Sequence, residues 1–171
     1  MKRLTGLVAA LITVLSVMVL SSAPATALPA WQDTATSWTN PRPGDPRVVG
    51  LRYATHPNFD RVVIDIRGAI PGGSAHYAKR FFYDGSGERV PIGSASGLRL
   101  NLTPARAHSL EGDNIYLGPQ IARPHFDTLK ALAFTGDFEG QVSFGFALTH
   151  RADYRIFFLH NPQRLVIDFR H

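Results

Sequence analysis

The sequence contains no cysteine, and this absence excludes several kinds of protein. Without a thiol the chain has no disulfide, no zinc–thiolate site and no cysteine nucleophile. It also lacks the cysteine that carries the lipid of a lipoprotein. Any fold must therefore be stabilised by its own buried core, which about 150 residues can supply.

The sequence also lacks a run of clustered basic residues, although basic residues outnumber acidic ones by 18 to 13. Without Lys2 and Arg3, 16 basic residues remain against 13 acidic ones, a net charge of +3. This small, dispersed charge argues against a nucleic-acid partner. It is compatible with weak attraction to anionic polymers of the cell envelope.

A long apolar stretch occurs only near the N-terminus, over residues 4–20. Lys2 and Arg3 precede it, and Ala25-Thr26-Ala27 follows as a small-x-small sequence. This layout predicts a secretory signal peptide over residues 1–27, cleaved after Ala27, and hence a secreted or envelope protein. The alternative is an uncleaved membrane anchor, but the stretch is at the short limit for spanning a bilayer of about 30 Å.

Residues 28–46 are rich in proline, threonine and aspartate and show no apolar periodicity. They are predicted to form a flexible linker in front of a single domain, residues 47–171. Trp31 and Trp38 are its only aromatic side chains. They are expected to dock on the domain's own surface, or alternatively to bind a partner.

The domain shows the alternating pattern of β-strands and no convincing helical period. In residues 61–67 the apolar positions Val62, Ile64 and Ile66 share one face, and in residues 141–150 every second residue is a large apolar one. The pattern predicts an all-β sandwich or barrel. The candidate strands are residues 48–54, 61–67, 76–83, 98–102, 115–117, 129–138, 141–150, 154–160 and 164–170.

One heptapeptide occurs twice, as RVVIDIR at residues 61–67 and RLVIDFR at residues 164–170. Its aspartates, Asp65 and Asp168, suggest either a catalytic carboxylate pair or structural ion pairs. Arg67 and Arg170 lie two positions further along the same strand faces. We favour ion pairs with these arginines, because a flanking arginine keeps a carboxylate charged.

Other chemistry has weaker support in the sequence. The stretch Gly93–Gly97 fits the nucleophile-elbow pattern G-x-S-x-G poorly, because Ala95 occupies the serine position. The seven histidines show no metal-binding spacing, and neither a metal nor a cofactor is predicted. A small hydrolase using Asp or His within residues 69–140 remains an alternative.

The two ends of the domain resemble a known family. Asn161, Pro162, Arg164 and the strand 165–169 are similar to the closing motif of AMIN and AMIN-like domains, and residues 48–68 resemble its opening strands. The resemblance implies a β-sandwich of two roughly symmetric, antiparallel-rich sheets. It also implies a non-catalytic module of exported proteins, associated with peptidoglycan binding, from a branch found in actinobacteria.

The resemblance and the strand pattern together predict a binding surface of outward-facing arginines. These would bind carboxylates of peptidoglycan or another anionic wall polymer, with Asp65 and Asp168 orienting them or forming structural ion pairs, while aromatic residues contact sugars. The alternatives are an adaptor for an envelope protein and a dimer formed through edge strands. The candidate arginines are Arg52, Arg61, Arg67, Arg164 and Arg170.

Overall fold

A computed structural model describes residues 27–41 and 44–171, so the predicted signal peptide lies almost wholly outside the described residues. Ten strands and no helix occur within those residues, and none of their segments is a helix that could cross a membrane. The strands are β1 (Thr36–Trp38), β2 (Arg47–His56), β3 (Phe59–Arg67), β4 (Gly72–Tyr77), β5 (Ser96–Thr103), β6 (Ile121–Ala122), β7 (Leu129–Phe138), β8 (Gln141–Leu148), β9 (Tyr154–Leu159) and β10 (Arg164–Arg170).

The strands form two antiparallel sheets that face each other across one main core. The larger sheet has the order β1-β4-β5-β8-β7-β6, and the smaller one has the order β2-β3-β10-β9. The predicted all-β sandwich is thus confirmed. Alternate residues of each sheet are buried between the two, among them Val62, Ile64, Ile167, Leu100, Phe144 and Phe146.

The two copies of the repeated heptapeptide are β3 and β10, which are neighbours in the smaller sheet. They pair antiparallel, so that Arg61 lies opposite Asp168 and Asp65 lies opposite Arg164. Each is the second strand of a hairpin, β2–β3 in one case and β9–β10 in the other. The smaller sheet is therefore built from two corresponding hairpins that meet along their second strands.

The outward face of β8 is buried as well, contrary to the expectation from its alternating sequence. The chain after β4 leaves the sheet at Ala78, so the strand predicted for residues 76–83 is displaced to Gly72–Tyr77. This chain crosses the larger sheet and packs Phe81 onto it, forming a second small core. Gly97 and Gly145 leave space for the Phe81 ring, because a Cβ atom on either residue would lie 2.6 Å from that ring.

Part of the predicted linker belongs to the sandwich. Residues 36–38 form β1 at the edge of the larger sheet and pair with β4, and Gln32 pairs with Tyr154 beside β9. The indole N–H of Trp38 donates a hydrogen bond to the carbonyl oxygen of Pro71 at 3.0 Å. The tryptophans hold this segment on the domain, as the docking interpretation predicts, because the Trp31 ring contacts Phe59 and the Trp38 ring contacts Phe158.

Candidate functional site

The outward face of the smaller sheet carries most of the predicted site residues. The register places Arg61, Asp168 and Arg155 in one row across β3, β10 and β9, and Asp65 and Arg164 in another row nearer the other end of β3. The period-two alternation puts these side chains on the face opposite the core. The row around Asp168 is more deeply buried than the row around Asp65. The first is therefore a structural cluster, and the second is accessible.

Asp168 is the centre of a buried arginine cluster, formed with Arg61 and Arg155. Arg61 donates from Nε to Oδ1 at 2.6 Å and from Nη2 to Oδ2 at 2.9 Å. Arg155 donates from Nε to Oδ2 at 2.8 Å, and its Nη2 lies 2.7 Å from the same oxygen. The Asp168 side chain is 0% exposed. The hydrogen bonds that Arg61 donates to Asp168 raise the pKa of Arg61 above its usual value.

Aromatic rings cover the buried arginine cluster from outside. The Arg61 guanidinium lies 4.9 Å from the ring centre of Phe59 and 5.4 Å from that of Phe157. The Arg155 guanidinium lies 4.3 Å from the ring centre of Trp31. Such cation–π contacts add to the ion pairs because the rings exclude water. Both guanidiniums are thus committed to contacts within the domain.

In the other row, Asp65 lines a cavity of about 500 Å³ beside β2, which we call the arginine groove. Arg52 donates to Asp65 from Nε at 3.0 Å and from Nη2 at 2.7 Å, yet its side chain remains 61% exposed. The hydrogen bonds that Arg52 donates to Asp65 raise the pKa of Arg52. Arg67 also lines the cavity and is exposed, and it forms no ion pair within the described residues. The lining residues are Val49, Gly50, Leu51, Arg52, Asp65, Arg67, Ile115 and Leu117.

The apolar wall of the arginine groove comes from the middle of the chain. Leu117 donates its main-chain N–H to the carbonyl oxygen of Val49 at 2.9 Å, which fixes residues 115–117 against β2 without making them a strand. The Leu117 side chain is nevertheless 87% exposed. The strand predicted for residues 115–117 is thus replaced by a loop that adds an apolar edge to a cationic surface.

The remaining two candidate arginines do not line the groove. Arg164 lies at the start of β10 and donates from Nε to the carbonyl oxygen of Pro162 at 3.3 Å. Arg170 lies at the opposite end of β10 and forms a loose ion pair with Asp153 at 3.6 Å. The structure therefore brings Arg52, Asp65 and Arg67 together around a cavity and leaves Arg170 apart from them.

The aspartates take partners different from those expected. Asp65 pairs with Arg52 rather than Arg67, and Asp168 pairs with Arg61 and Arg155 rather than Arg170. Residues two apart on one strand lie further from each other than cross-strand neighbours do, so the neighbouring strand supplies the partner. Arg155 was missed by the sequence prediction. It could have been found, because Arg52 and Arg155 each precede their aspartate by 13 residues.

The polar clusters outside the smaller sheet do not assemble a hydrolase triad. Asp137 contacts His108 at 2.6 Å, and Asp84 accepts a hydrogen bond from Ser143 at 2.5 Å while pairing with Arg99. Within residues 27–41 and 44–171, no hydrogen bond joins a serine to a histidine, and no group of three or more acidic or histidine side chains is placed to hold a metal ion.

The comparisons with known proteins agree with the motif at residues 161–169. The family model of the AMIN-like domain matches residues 46–171. No curated protein and no solved structure matches the chain. AMIN-like domains are typically non-catalytic modules of the cell envelope, and the match indicates a module associated with the cell wall. Because the match covers well over half of the sequence, the chain belongs to the AMIN-like domain family.

Proposed function

We propose that the protein is a secreted, non-catalytic module that binds peptidoglycan through the arginine groove. The observation that carries this proposal is the exposed Arg67, which lines a cavity beside Arg52 and forms no ion pair within the described residues. An accessible guanidinium without a carboxylate partner is suited to bind one from a ligand.

The groove combines two properties that a peptide stem of the wall requires. Arg67 offers a planar, permanently charged donor group for a carboxylate. Arg52 beside it is 61% exposed, although Asp65 balances its charge and occupies part of its donor set. Leu117 offers an exposed apolar surface for the aliphatic part of the same ligand. The match to an envelope-associated family supports a wall polymer as the source of these carboxylates.

A sedimentation assay with purified sacculi and residues 28–171 tests the proposal. Arg67→Gln is expected to weaken binding about tenfold or more, because a hydrogen bond to a charged group contributes roughly 1.5–3 kcal/mol. Arg80→Gln is the matched control, since Arg80 is also exposed and loses the same charge but lies in the segment that covers the larger sheet. Binding should also weaken as the salt concentration rises.

Three results would contradict the proposal. One is absence of sacculus binding even at low salt, which would favour an envelope protein as partner. Another is an equal loss of binding in Arg67→Gln and Arg80→Gln, which would mean that net charge alone is responsible. Turnover of muropeptides by the purified protein would instead indicate an enzyme.

A further inference from the structure

A second cavity, of about 530 Å³, opens between the two sheets where β1 and β9 form the edges. Its volume lies within the range of about 300–1,000 Å³ found for small-molecule sites. The described residues that line it are Trp38, Thr39, Asn40, Gly44, Gly68, Ala69, Ile70, Phe158, His160 and Gln163, and we call it the aromatic cavity. It shares none of these with the arginine groove.

Two rings from different sheets form the wall of the aromatic cavity. Trp38 comes from β1 and Phe158 from β9, and their ring centres lie 5.7 Å apart at 59°. The indole N–H of Trp38 is already bonded to the carbonyl oxygen of Pro71, so the indole is fixed in orientation. A ligand in the cavity therefore meets a rigid aromatic surface rather than a mobile side chain.

The polar side of the aromatic cavity carries hydrogen-bonding groups that are not fully used. His160 Nδ1 and Gln163 Oε1 are 2.9 Å apart, an interaction that holds both side chains. It leaves the amide NH₂ of Gln163 and Nε2 of His160 without a partner among the described residues. These atoms can bond to hydroxyl or carbonyl groups of a ligand.

We propose that the aromatic cavity binds a pyranose ring of a saccharide. A pyranose combines an apolar face of C–H groups, which stacks on an aromatic ring, with hydroxyl groups at its rim. The aromatic and amide groups of the cavity match these two surfaces.

This proposal stands independently of the arginine groove, which would take carboxylates. Arg67 lines the arginine groove, and the next residue in the sequence, Gly68, lines the aromatic cavity. If the proposed function is correct, a polymer that carries both sugars and carboxylates would contact both cavities at once. Loss of either site should then weaken binding of the intact polymer.

Tryptophan fluorescence of a Trp31→Phe variant tests the proposal, because Trp38 is then the sole tryptophan. Titration with the tetramer of N-acetylglucosamine, and with cellotetraose to test the need for the acetamido group, should give a saturable emission change. Gln163→Ala should weaken saccharide binding about two- to tenfold, the loss expected for one neutral hydrogen bond. Gln141→Ala, on β8 of the other sheet, is the control and should leave the affinity unchanged.

Two-dimensional NMR of the unsubstituted chain keeps the test valid if Trp31→Phe fails to fold. The indole N–H signal of Trp38 should then shift with saccharide while that of Trp31 stays in place. Absence of a saturable response to both saccharides, or equal affinity in Gln163→Ala and Gln141→Ala, would overturn the proposal. Arg67→Gln separates the two ideas, because it should weaken sacculus binding and leave the affinity for the tetramer unchanged.

Discussion

The two corresponding aspartates of the smaller sheet should differ greatly in their contribution to stability. Asp168 is 0% exposed, and both of its arginine partners are largely covered. Replacing it with asparagine leaves two guanidiniums without their shared counter-charge beneath aromatic rings. Breaking a buried ion pair in this way costs about 3–5 kcal/mol, so Asp168→Asn should lower the free energy of unfolding by roughly that amount.

Asp65→Asn is the matched comparison, because Asp65 occupies the same position in the other hairpin. Its side chain is 30% exposed and that of its partner Arg52 is 61% exposed. Water and salt screen such a pair, which contributes about 0.2–1 kcal/mol. The two substitutions change the same chemical group on the same face of one sheet, but Asp168 is buried with two arginine partners, whereas Asp65 is partly exposed with one.

Urea denaturation followed by circular dichroism measures the loss of unfolding free energy in each variant, and thermal denaturation gives its melting temperature. For a domain of this size, Asp168→Asn should lower the melting temperature by about 10–20 °C and Asp65→Asn by no more than a few degrees. Raising the salt concentration should diminish the effect of Asp65→Asn and barely alter that of Asp168→Asn. Equal losses of stability in the two variants would refute the inference that aromatic covering makes the cluster structural.

Two further predictions concern residues away from the arginines. Burial raises the pKa of Asp60, but the N–H of Leu129 and further hydrogen-bond donors outweigh this and lower it overall. The pKa of an aspartate in the unfolded chain is near 3.9. The stabilisation by the Asp60 carboxylate is therefore present above about pH 4 and is lost as the pH falls through its lower pKa in the folded state. Asp60→Asn should consequently flatten the fall in the free energy of unfolding below pH 4. Gly145→Ala should cost about 1–3 kcal/mol in urea denaturation, because the added Cβ meets the Phe81 ring at 2.6 Å. Gly93→Ala, which meets nothing within 4 Å, should stay within about 0.5 kcal/mol of the original chain.

The strands could be predicted from the sequence where one face of a strand is buried and the other is polar. In β3 and β10 the apolar positions recur with period two, and the structure buries Val62, Ile64 and Ile167 as that pattern requires. The bounds of β7, at residues 129–138, also agree with the prediction. Local sequence sufficed here, because the side-chain period of a strand is set by its own backbone.

The pattern failed where a strand is covered on both faces. Ser143, Gly145 and Ala147 are small or polar, which resembles a solvent-facing row, yet they lie beneath the segment that carries Phe81. Small residues allow a second layer to approach closely, and nothing in the local sequence says whether that layer exists. The position of such a layer depends on packing between distant parts of the chain.

The candidate site was only partly predictable for a related reason. The outward direction of Arg52 and Arg67 followed from strand periodicity, but the groove they line is completed by Leu117 from a loop more than 45 residues further along the chain. Likewise, the partners of Asp65 and Asp168 depend on which strands are neighbours. Sheet order is a property of the topology, so ion pairs across strands cannot be read from one strand alone.

The antiparallel pairing of its two copies explains why the heptapeptide is repeated. An arginine at the first position and an aspartate at the fifth place opposite charges across the strands twice, once with Arg61 facing Asp168 and once with Asp65 facing Arg164. Slipping the register by one residue would also turn the apolar rows outward, so charge and burial select the same pairing. The motif is thus complementary to its own copy, which accounts for its appearing twice.

The two hairpins have nevertheless diverged in what surrounds their aspartates. Phe157 follows Arg155 by two residues and covers the cluster at Asp168, whereas the corresponding residue after Arg52 is Ala54, which covers nothing comparable. Arg155 of the second hairpin is therefore held within the fold, whereas Arg52 and Arg67 of the first hairpin are accessible. We expect the arginines of this sheet to bind a carboxylate ligand at the first hairpin, because the exposed guanidiniums of Arg52 and Arg67 lie beside a cavity there.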